Sequence, residues 1–172
     1  MHTPNTIIMT TYLFQNRPES LPAQCGPISL YNWLRYKQIP VSLDYLIKQC
    51  KANLDYGTRV KLMEKTVHTV NEIFNTTISQ FPPDASATPF NWIKFNLYAG
   101  RPIIILYHWV DGANSGNHYA LIDAIYNDYG QLKFRIINHS FETPMKIVCA
   151  REIKSMLLPH TDKHFTTPVI WC

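Results

Sequence analysis

Apolar positions along this chain change their spacing near residue 100. Before it they recur at steps of three and four, the period of a helix with one buried face. Ile28, Leu30, Tyr31 and Leu34 follow Cys25, and Leu43, Leu46 and Ile47 lead to Cys50. Val60, Met63, Val67, Val70 and Phe74 then form the longest such stripe. The first helix is expected to start at Cys25 or Gly26 and to end near Lys37, before Pro40. Ser42 stands where an N-cap would open the second, and Gly57 breaks the chain ahead of the third, which runs from about Thr58 to Phe74. After a loop rich in Pro, Ser and Ala from Gln80 to Pro89, Phe90, Ile93, Leu97 and Tyr98 predict a short helix closed by Gly100.

Beyond Gly100 the runs become β-branched and aromatic. Pro102 to Val110, His118 to Tyr126 and Leu132 to Asn138 read as neighbouring strands separated by turns rich in Gly and Asn. Asn127 to Gly130 suits a hairpin, and Asp111 to Asn117 reads as a polar loop leading into His118. A weaker strand is expected from Pro144 to Val148 and a closing helix from Arg151 to Leu158. Helices first and strands second predict an α+β fold, with the N-terminal helices packed on a C-terminal antiparallel sheet. Thr10 to Gln15 reads as a short extended segment, and Asn16 to Gln24 as an ordered loop leading into Cys25.

Composition narrows the classes of function. With 172 residues, 46% of them hydrophobic, the chain suits one domain over 1–172 with its core at about 10–158. The net charge of +4 is spread without a basic block, and the aromatic residues lie inside apolar segments, so no nucleic-acid partner is expected. Cys25, Cys50, Cys149 and Cys172 lack the close spacing of zinc ligands, so neither a metal nor another cofactor is expected, and no disulfide framework is needed. The Thr-interrupted stretch from Met1 to Phe14 has no basic region before it and is not a standard signal peptide. No run has the length of a membrane span. The expected state is a monomer with no membrane partner, either cytoplasmic or exported, as an effector is, without a standard signal peptide.

One constellation carries chemistry. Cys25 sits where a polar loop becomes a helix, and the unpaired N–H groups of a helix start favour thiolate, which predicts a markedly acidic thiol. Gly26 allows a close backbone approach there. A nucleophilic thiol needs a base, and of the seven histidines His118 is preferred because it starts a strand after a polar loop. His108 lies within an apolar run, and His2, His68, His160 and His164 fall at terminal or helical surface positions. The imidazole needs a polar orienter. Asn138 ends the strand that would pair back beside His118, whereas Asp123 lies in mid-strand. For an oxyanion, the N–H of Cys25 is one donor, and Gln15 is the preferred second, with Gln24 and Glu19 as alternatives, Glu19 being unable to donate when ionised.

Three stretches then add a resemblance. Gln24 to Leu30 (QCGPISL), Gly100 to Leu106 (GRPIIIL) and Asn117 to Ile122 (NHYALI) together resemble the papain-like cysteine peptidases of the double-glycine leader type. Around Glu19 to Gly26 the chain is also similar to the phytochelatin-synthase-like branch. The resemblance implies a papain-like fold and a thiol peptidase acting on a peptide or protein substrate, with Cys25, His118 and Asn138 as its triad. The alternatives are an acyl or peptidyl transferase on the same site and a catalytically inactive peptide-binding domain. Two positions depart from the family's pattern. Glu19 stands at the spacing of the oxyanion glutamine, and Asn138 replaces the commoner Asp.

Overall fold

The stripe that starts at Ile28 forms α1 (Cys25–Tyr36), with Pro27 in the first turn, where a missing N–H costs no intrahelical bond. The structure, a computed structural model, describes residues 24–53, 57–82, 86–111, 114–138, 143–157 and 170–172. The extended segment and loop expected before Gln24 lie outside those residues. The Ser42 hydroxyl accepts the Tyr45 N–H at 3.1 Å and opens α2 (Leu43–Cys50). The long stripe gives α3 (Val60–Phe74), ended by Asn75 in the left-handed region at φ 50°. Thr88 caps α4 (Pro89–Tyr98) by accepting from the Asn91 N–H. In the closing helix, α5 (Ala150–Met156), the Glu152 carboxylate accepts the Cys149 N–H at 2.8 Å.

The strands are β1 (Ile103–Asp111), β2 (Asn114–Asp128), β3 (Gln131–Ile137), β4 (Met145–Cys149) and β5 (Ile170–Trp171). They form one antiparallel sheet in the order β4-β3-β2-β1-β5. The expected α+β architecture is therefore present. Ile104, Leu106, Tyr119, Leu121 and Ile137 face a core shared with α1, α2 and α3. On the opposite face, Ile103, Ile105, Ala120, Ile122, Phe134 and Ile136 meet α4 and α5. With both faces covered, the central strands bury consecutive residues, so they read as unbroken apolar runs and not as alternating ones. The Trp33 indole donates to the Pro102 carbonyl at 3.0 Å, tying α1 to the start of β1.

Two expectations are corrected. The expected loop from Asp111 to Asn117 is strand in its described residues: β1 runs to Asp111 and β2 begins at Asn114, pairing His108 with Asn117, Trp109 with Gly116 and Asp111 with Asn114. Gly116, which reads as a loop signal, makes room for an aromatic ring. A Cβ there would lie 3.2 Å from the Trp109 indole. The second correction is β5, beyond the last sequence pattern. Trp171 is buried in the α1–α3 core, beside Tyr119, and two residues are too few to show a period.

Candidate active site

Cys25 opens α1 and is buried at 7% exposure among Leu30, Trp33 and Tyr119. Its neighbour Gly26 has a concrete reason to be glycine. A Cβ there would lie 2.7–2.9 Å from the side chain of Thr58, which is closer than such atoms approach in proteins. Thr58, held against the helix start after Gly57 at φ 64°, is a site neighbour that sequence reasoning missed. Its sequence signal was only the break at Gly57.

The thiol is not acidic as expected. Burial pushes its ionisation up, and this outweighs the opposing pull of main-chain N–H groups from Tyr119, Gly26 and Cys25 itself. The helix start does supply donors, but a sulfur stripped of water loses more than those donors return. Burial therefore favours the thiol over the thiolate.

Tyr119 lies directly after His118 on β2, so the sulfur meets the main chain next to the imidazole. His118 is half-buried and stands within the β1–β2 ladder, opposite Tyr107, and not at a strand mouth. Its Nε2 lies 2.6 Å from the main-chain carbonyl of Asn138. A carbonyl only accepts, so Nε2 carries the proton and Nδ1 is the basic nitrogen. Asn138 is fully buried in the left-handed region at φ 59°, and its Nδ2 donates to the Tyr119 carbonyl at 3.4 Å. The position expected to orient the ring does touch it, through its main-chain carbonyl.

The competing residues are placed elsewhere. Asp123 is an extra residue at a bulge in β2, and its carboxylate takes the Arg135 Nε and Nη2 at 2.8 and 2.6 Å. His108 is exposed and meets the Asn117 side chain at 3.2 Å, and His68 is exposed beside Glu72. Of the oxyanion candidates, Gln15 and Glu19 lie outside the described residues. Gln24 is half-buried at the N-cap of α1, where its side chain makes no capping bond. All four cysteines are free. Among the described residues no group of His, Cys, Asp or Glu is arranged to hold a metal ion, and no helix is long and apolar enough to cross a membrane.

No known family profile and no curated protein sequence matches this chain. Solved structures do. One is a double glycine motif protease from an AMS/PCAT transporter, solved in complex with the leader peptide. It shares 15% identity at a TM-score of 0.60, over 99% of this chain and 96% of that one. Another is the peptidase domain of Streptococcus ComA, a bi-functional ABC transporter involved in quorum sensing, with 15% identity and a TM-score of 0.56, over 92% of this chain and 96% of that one. The likeness is one of fold: this chain has the α+β fold of papain-like peptidase domains.

Proposed function

We propose that this protein is a thiol hydrolase that cleaves a peptide or isopeptide bond through an acyl-enzyme on Cys25. One juxtaposition carries the proposal. A buried thiol at a helix start meets the main chain directly after an imidazole whose protonated nitrogen is held at 2.6 Å. In this scheme Nδ1 of His118 takes the thiol proton as sulfur bonds to the carbonyl carbon, and the proton then passes to the departing amine as the C–N bond breaks. Water, deprotonated by the same nitrogen, releases the acid and frees the sulfur. Burial disfavours the thiolate, so the scheme couples proton transfer to attack and draws on no standing ion pair. The Cys25 N–H is one donor to the developing oxyanion, with Gln15 as the second, or in its place Gln24 or a protonated Glu19.

A peptide substrate is favoured by the leader peptide bound to the first structural neighbour. An amine in place of water would make the same steps a transfer reaction. A second reading, a cleft that binds a peptide without cleaving it, is favoured by the burial that disfavours the thiolate.

Labelling with a peptide epoxide or vinyl electrophile separates these readings. The expected result is modification of Cys25 that is lost in Cys25→Ala and His118→Ala. If native Cys25 reacts no faster than buried Cys50, the hydrolase proposal fails. A peptide that binds without labelling would identify the inert domain.

A further inference from the structure

We infer that Tyr107 is the positioning residue of His118, an inference that rests on His118 being the acid and base proposed above. Tyr107 is the cross-strand partner of His118 in the β1–β2 register, so the two side chains leave the same face of the sheet. Their ring centroids are 5.6 Å apart at an interplanar angle of 72°, an edge-to-face contact. Tyr107 is 5% exposed, packed in the core that α4 and α5 cover, which fixes its ring.

The geometry of an imidazole explains why a second contact matters. Nε2 lies on the far side of the ring from Cβ, so the bond to the Asn138 carbonyl fixes where Nε2 sits and leaves the ring free to roll about the line from Cβ to Nε2. In the scheme proposed above, that roll is what turns Nδ1 toward or away from the thiol. An aromatic ring set at 72° to the imidazole blocks it. The carbonyl sets the tautomer and Tyr107 sets the plane. The phenol also stands in the electrostatic neighbourhood of the thiol: its ionisation is raised by burial and further by charge at Cys25.

The test compares the whole chain with Tyr107→Phe and Tyr107→Leu, reading the rate of Cys25 labelling by a peptide electrophile against pH and folding by near-ultraviolet circular dichroism. Tyr107→Phe keeps the ring and is expected to stay within about twofold of the parent. Tyr107→Leu is expected to fall about tenfold, the size of an aromatic pair contact, and to move the acid limb of its pH profile. An unchanged Leu variant overturns the inference. So does a Phe variant as slow as Leu, which would put the role in the hydroxyl, or a Leu variant that loses rate with an unmoved limb. Should Tyr107→Leu not fold, nuclear Overhauser contacts between the two rings in the parent decide, and their absence overturns it. If His118→Ala labels as fast as the parent, the function proposed for His118 fails and this inference falls with it. A Tyr107 failure alone leaves that function standing.

Discussion

At the scale of single residues, the site depends on how closely backbone can approach backbone. Gly26 is the clearest case, because Thr58 occupies the space a Cβ would need. Gly26→Ala is expected to push the Thr58 segment off the α1 start and to destabilise the protein by about 1–3 kcal/mol, the usual cost of overpacking. Thr58→Gly in the same chain should restore much of the loss, and thermal melting of the two variants checks both effects. Thr58→Ser should not restore it, since the Thr58 Cβ itself lies 2.8 Å from the added atom. The residue types at Cys25, His118 and Asn138 point to their chemistry from sequence, because few side chains serve as nucleophile, base or orienter. That Asn138 touches the ring through its carbonyl was not legible. It depends on a φ of 59° at a buried strand end, which no residue pattern announces for an asparagine.

At the scale of elements, turn chemistry was the most readable signal. The β2–β3 hairpin turns at Tyr129 and Gly130, both with positive φ, 47° and 85°, and the Asn127 side chain accepts the Gly130 N–H at 2.9 Å. Two consecutive positive φ values define a type I′ turn, which prefers Asn-Gly. Tyr129 is fully exposed and holds this conformation without packing in return. Tyr129→Asn is therefore expected to stabilise the protein by about 0.5–1 kcal/mol, read as a higher melting temperature. The β1–β2 hairpin was less readable, because Asn, Ser and Gly between Asp111 and His118 signal a loop in isolation. Only the partner strand shows that Gly116 lies under Trp109. Its consequence is functional: His118 rides in a paired ladder, where Tyr107 reaches it.

At the scale of the whole molecule, two cores on either side of one sheet bury groups that ionise at high pH. Burial pushes the Cys50 thiol up to about 11 and also raises Cys25, Tyr107 and Tyr119. Unfolded, thiols ionise near about 8.5 and phenols near about 10. Above those values the unfolded chain sheds protons that the native protein retains, so stability is complete below about pH 8.5 and falls as pH rises. Melting temperature should decline steadily through the alkaline range, and Cys50→Ala should flatten the decline. The Tyr119 hydroxyl is buried with no hydrogen-bond partner among the described residues. Tyr119→Phe is expected to remove that liability as well, stabilising by about 1 kcal/mol at neutral pH in chemical denaturation.

The sequence by itself determined the helices, four of the strands, the α+β class and the residue types of the site. Each is written in local terms: the period of apolar positions, caps, turn residues, and the few side chains able to do thiol chemistry. The tertiary structure alone decided the burial that raises the Cys25 thiol, the atom that holds His118, the Tyr107 ring beside it, the Thr58 side chain against Gly26, and the strand that returns at Ile170. Desolvation, register and close approach are sums over neighbours distant in the chain, and no local pattern encodes them.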